Sequence, residues 1–147
     1  VNVFKIIFLS ILVFSALNLP VNAQEKESNS KSLEITVSVK KELMTKSKKD
    51  WSLYVYAARP NTRLPLSSFK AKLGDLPMKI TLDESMYLLP DLTLKNAQEV
   101  IVIAKASESS DPHHKSPNNL IGKSKVLSFS DSQNLSLSIV IDRKDVR

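Results

Sequence analysis

Apolar residues return at every second position through most of the chain. Leu33, Ile35, Val37 and Val39 alternate with Glu34, Thr36 and Ser38. A period of two places the first set on one face and predicts a half-buried strand. Trp51, Leu53, Val55 and Ala57 repeat the pattern with Tyr54 and Tyr56 opposite them. The aromatic and branched residues there predict a central strand covered on both faces. Phe69, Ala71 and Leu73 continue the period after Pro65, and Met78, Ile80 and Leu82 continue it after Pro77. A proline at a strand's first residue is tolerated because its missing N–H is not needed there. Residues 99–107 hold the unbroken run Val100-Ile101-Val102-Ile103-Ala104, which suits a strand buried on both sides. Extended structure resumes around Gly122 in residues 120–129, and Leu135, Leu137, Ile139 and Ile141 alternate near the end.

Turn chemistry separates these runs: Arg59-Pro60-Asn61, Gly74-Asp75, Asp83-Glu84-Ser85 and the polar loop 108–119. Residues 86–90 predict a helical turn or an irregular crossing, and residues 92–94 a brief extended piece. Residues 143–147 read as a basic tail. No helical pattern is long enough for a βαβ crossover. About seven or eight short strands between turn signals predict an all-β chain, a single immunoglobulin-like β-sandwich.

Residues 1–23 read as a secretory signal peptide. Lys5 supplies the positive start, residues 6–17 the apolar run, and Val21-Asn22-Ala23 a cleavage site before Gln24. An uncleaved anchor needs about 17–25 apolar residues, and Asn18 and Pro20 interrupt this run. Residues 24–32 carry no large apolar side chain and predict a flexible tether, with the sandwich in residues 33–147. The expected location is therefore the periplasm.

Composition narrows the chemistry. With only two glycines, no glycine-rich phosphate loop can be written. Without cysteine the chain has no thiol chemistry, no Cys-ligated zinc and no disulfide to support it. The net charge of +6 includes Lys5, so removal of the leader leaves an excess of five positive charges. That charge is scattered, and it does not point to nucleic acid. The densest stretch, residues 40–50, has Lys46, Lys48 and Lys49 as candidates for an anionic surface, including peripheral contact with the inner membrane.

Catalytic constellations are weak. Asp83 and Glu84 are sequence neighbours, so on an extended chain they point to opposite faces and cannot flank one cleft. His113 and His114, with Asp111 nearby, fall short of a ligand set for zinc. Ser85 lacks a glycine elbow, so a hydrolase would need His113 or His114 to meet it in space. Trp51, Tyr54, Tyr56 and Tyr87 admit an alternative reading, an exported domain that binds a small molecule or glycan.

The order of short motifs suggests a family. Residues 53–59 read LYVYAAR, followed by Leu64-Pro65-Leu66-Ser67 and Asp75-Leu76-Pro77. Next come TLDESMYLLP at 81–90, VIVIAKAS at 100–107 and NLIGKS at 119–124. This series resembles the C-terminal periplasmic domain of the cytochrome c-type biogenesis family CcmI, also called CycH. That domain shows FVFARA, PLAV, DLP, LDDSMAMMP, VVVxARIS and GDLxGxS elements in the same order. The resemblance spans roughly 95 residues and implies a module without catalysis or cofactor. Such proteins hold apocytochrome c and pass it to the haem-ligation complex. Contact candidates carried by the matching segments are Leu64, Pro65, Leu66, Asp75, Leu76, Pro77, Met86, Tyr87 and Leu88. Family members usually carry transmembrane helices and a tetratricopeptide-repeat domain before this one. Here a leader and tether are read in that place; a split system, with the anchor and repeats on a partner, is one arrangement consistent with this reading.

Overall fold

A computed structural model describes residues 29–146. The leader lies outside the described residues. Nine strands follow in chain order: β1 (Ser32–Val39), β2 (Ser52–Ala58), β3 (Pro65–Lys72), β4 (Met78–Asp83), β5 (Glu99–Ser107), β6 (Leu120–Lys123), β7 (Leu127–Ser128), β8 (Asn134–Ile141) and β9 (Arg143–Lys144). Helical structure among the described residues is limited to single 3₁₀ turns. Two sheets form, a three-stranded one ordered β4-β1-β8 and a six-stranded one ordered β3-β2-β5-β6-β9 with β7 on β5. The all-β sandwich expected from the alternating pattern is the observed architecture.

The inner faces are set by that period of two. Leu33 lies between Leu82 and Leu135, Ile35 between Ile80 and Leu137, and Val37 between Met78 and Ile139. Opposite them, Leu53 pairs with Ala71 and Ala106, and Val55 with Phe69 and Ala104. Leu33, Ile35, Val37, Leu53 and Val55 are fully buried. Each such side chain contributes about 1.5–3 kcal/mol on leaving water.

Pairing of β1 with β8 is parallel, whereas β1 and β4 are antiparallel. At Asp142 the chain leaves the three-stranded sheet, and its N–H donates to the Ile121 carbonyl at 3.3 Å. Residues 143 and 144 then pair with Ile121 and Leu120. The expected basic tail therefore begins as a strand that ties the two sheets together along one side. Gly122 permits this closure. A Cβ there would stand 2.3 Å from the Val140 carbonyl oxygen, a backbone atom that cannot rotate away.

Other expectations need correction. The tether does not extend to residue 32. Ser32 opens β1, and Lys31 is already built into the fold. The Lys31 N–H donates to a Glu84 carboxylate oxygen at 2.8 Å, and its ammonium donates to the Ala97 and Lys95 carbonyls at 2.5 and 3.0 Å. That ammonium also lies 5.2 Å from the centre of the Phe129 ring. The extended piece at 92–94 stops short of Leu94. Leu92 bridges back to Leu89, and Leu94 begins a 3₁₀ turn capped by the Thr93 hydroxyl.

Two measurements test these ties. Gly122→Ala should lower the unfolding free energy by about 1–3 kcal/mol, the usual cost of overpacking, read by urea denaturation; unchanged stability would show that β6 and β8 can separate freely. Lys31→Met keeps the stem over Phe129 but removes the charged donor. It should cost about 1.5–3 kcal/mol, as expected for hydrogen bonds to a charged group, and a thermal midpoint equal to the parent's would contradict that role.

Candidate protein-binding surface

The connection from β4 to β5 crosses from one sheet to the other, and polar contacts fix its course. Asp83 accepts the Ser85 N–H at 2.8 Å and the Ser85 hydroxyl at 2.5 Å through one carboxylate oxygen. The Asp83 carbonyl accepts the Ser67 hydroxyl at 2.8 Å. One step later the Met86 carbonyl accepts the Ser68 N–H at 2.9 Å, so the segment lies along the outer edge of β3. A tight turn closes at Leu92, whose N–H donates to the Leu89 carbonyl at 3.0 Å. Leu94 and Ala97 then bury themselves in the core. Lys31 holds the carbonyls on either side of Asn96, as described above.

Between these fixed points the chain presents apolar groups to water. Tyr87, Leu88 and Leu89 are 45%, 64% and 52% exposed in consecutive positions. Leu64, just before β3, is 58% exposed. β5 begins opposite the last residues of β2, where β3 also begins. The segment that leaves Ser68 for β5 therefore heads toward the end of the sandwich that carries Leu64. Scattered exposed leucines are ordinary; a run of three on a pinned backbone, with a fourth at the same end, forms a patch. Beside it, Arg59, Pro60, Asn61, Asn96, Gln98 and Glu99 line a shallow polar cavity of about 460 Å³.

The nine contact candidates do not form one surface. Leu64, Pro65, Tyr87 and Leu88 lie toward this rim, with Met86 half-buried against the core. Asp75, Leu76 and Pro77 lie at the opposite end, beyond the start of β2, since Gly74 bonds to Lys49 and Leu73 to Trp51. The length of β2, roughly 20 Å, separates the groups. Asp75 caps the Lys72 N–H at 3.1 Å, Leu76 packs on the core, and Pro77 is exposed. Leu66 is only 1% exposed. The register slips between Ala57 and Ala58, and the resulting bulge places Leu66 and Ser67 both inside. Leu89 belongs to the patch and was not among the candidates; its place in the Tyr-Leu-Leu-Pro run was the available signal.

The lysines also divide. Lys48 turns inward, donating to the Leu43 carbonyl at 3.1 Å with its ammonium 5.5 Å from the Trp51 ring centre. Lys46 and Lys49 remain exposed. Lys40 and Lys41, outside the candidate set, are exposed beside them.

Ser85 and the histidines are on different faces of the molecule. The loop 108–119 rests on the outer face of the six-stranded sheet, where the Tyr54 hydroxyl donates to the Ser110 carbonyl. Lys105, beside Tyr54 on that face, reaches the Pro112 and His114 carbonyls at 3.4 Å each. Ser85 sits near Ser67, whose side chain points inward, and its hydroxyl is committed to Asp83. Glu84 is likewise occupied by Lys31. Among the described residues no three of His, Cys, Asp and Glu gather as a metal set. The aromatic residues make no open row. Trp51 is half-buried under Lys48, Tyr54 is 8% exposed with Lys70 over its ring, and Tyr87 lies at the rim.

With this geometry in place, comparison with known proteins gives one match. The family model for the Ig-like domain of cytochrome c-type biogenesis protein H covers residues 33–142. That span takes in both sheets apart from the first residue of β1 and the β9 pair, and it includes the whole rim. No curated protein matches the chain, and no solved structure does. The two-sheet architecture, the ordered short motifs and the span of the match agree: the chain belongs to the family of the cytochrome c-type biogenesis protein H Ig-like domain.

Proposed function

We propose that the domain is a non-catalytic, periplasmic protein-binding module of c-type cytochrome maturation. Its working surface is the apolar rim of Leu64, Tyr87, Leu88 and Leu89. The occupant is an apolar segment of apocytochrome c or of a protein of the haem-ligation complex. Family membership supports the setting. The single observation that carries the surface is the consecutive exposure of Tyr87, Leu88 and Leu89 on a backbone held by Asp83, Ser68 and Lys31.

A pinned apolar surface loses little conformational entropy on binding, because its backbone is ordered beforehand. Aromatic and aliphatic anchors of this kind dominate binding energy when a partner desolvates them. The polar groups nearby point the same way. Asp83, Glu84 and Ser85 are engaged in building the turn, which favours a structural role for them. Glycan recognition through stacked aromatics is less well supported, since the covered Tyr54 offers no free ring face.

The test is capture from a solubilised envelope extract at low and high salt, followed by identification of the retained proteins. The parent chain should retain apocytochrome c or haem-ligation proteins, and retention should persist at high salt, as apolar contact does. Leu88→Asp with Leu89→Asp should reduce capture about tenfold or more, the loss expected from two anchors, while the circular dichroism spectrum stays unchanged. Equal capture by a folded double variant would remove the rim from the account.

A further inference from the structure

We propose that the lysine lobe of residues 40–51 docks on an anionic phospholipid bilayer and holds the domain with its apolar rim facing away from the lipid. The lobe consists of two 3₁₀ turns, Lys41–Leu43 and Lys46–Lys48, neither with a buried residue. It joins β1 to β2 at the end opposite the rim. Five lysines stand there against Glu42 and Asp50. Asp50 is engaged by Lys72 at 3.0 Å. Lys40, Lys41, Lys46 and Lys49 are exposed, and none of them enters an ion pair among the described residues. Lys115 in the loop 108–119 and Lys144 in β9 add exposed positive charge at the same end, offset in part by Glu108, Asp111 and Asp145 in the same segments.

The form of the lobe selects the partner. No large exposed apolar side chain belongs to residues 40–51. A protein interface draws its energy from a desolvated aromatic or aliphatic centre, and this lobe has none. A bilayer of acidic headgroups presents diffuse charge and requires only a convex, mobile set of ammonium groups. Each lysine close to such a surface favours adsorption by roughly fivefold at low salt. The effect falls within a Debye length and weakens as salt rises. Because β2 runs from the lobe to the rim, adsorption through the lobe leaves the rim about 20 Å further out.

The only tryptophan reports on this contact, since Lys48 lies over Trp51. The purified leaderless chain, residues 24–147, would be titrated with vesicles of equal parts phosphatidylglycerol and phosphatidylcholine, and with vesicles of phosphatidylcholine alone, each carrying a trace of dansyl-headgroup lipid as energy-transfer acceptor for Trp51. Trp51 emission should be quenched by the anionic vesicles at low salt, and not by the neutral ones. The combined variant Lys40→Gln, Lys41→Gln, Lys46→Gln and Lys49→Gln should need about tenfold or more lipid for half-quenching. The charge-matched control Arg63→Gln, Lys95→Gln, Lys123→Gln and Lys125→Gln, all exposed at the rim end, should behave as the parent. Equal quenching by neutral vesicles, or an unaltered response in the four-lysine variant, would overturn the proposal, because either result assigns binding to an apolar segment elsewhere. Binding of polyglutamate through these lysines without vesicle binding would also overturn it, in favour of an acidic protein.

Discussion

The close approach of β6 to β8 is the constraint on which the rest of the sandwich depends. Strands of different sheets normally stand about 10 Å apart, yet here a side chain at Gly122 would collide with the Val140 carbonyl. The approach lets β8 hand its chain directly to β9, with one residue, Asp142, making the change of sheet. Small side chains at Ala104 and Ala106 on neighbouring β5 accommodate the narrowing. Once that side is closed, β1 completes the smaller sheet in parallel register with β8. The connections that differ most in shape are thereby left at the two ends.

Those ends are built by different means. At the rim, buried leucines and charge-assisted hydrogen bonds hold a long crossing whose exposed residues are apolar. Carboxylates that look reactive in the sequence are spent on backbone amides there, and charged partners of this kind are roughly twice as strong as neutral ones. At the other end the lobe contains only short turns, with Trp51 and Lys48 covering the core and the remaining lysines left to water. One end is apolar, the other cationic.

The strands were legible because a half-buried sheet imposes a period of two, and residues 33–39 and 135–141 display it plainly. The ordered motifs also led to the family. What could not be read depended on contacts between distant residues. The parallel β1–β8 pairing joins segments about a hundred positions apart, and no local pattern encodes it. The burial of Leu66 depends on a bulge that shifts the phase by one residue. Lys48 looked like its neighbours until Trp51 was seen beneath it. The contact candidates divided between two ends because sequence order does not record that β3 spans the distance between them.

The turn that displays the rim has a second consequence, for the edge of the larger sheet. β3 is an outer strand, and an outer strand with unpaired amides is a template for other extended chains. Here the outward N–H of Ser68 is taken by Met86 and that of Lys72 by Asp75, while the bulge at Leu66 bends the strand. The outward amides on either side of Lys70 are thus already spent. Apolar side chains are left open to solvent beside a backbone edge that resists fibrillar growth, so the molecule can keep a sticky surface without becoming the seed of its own aggregation.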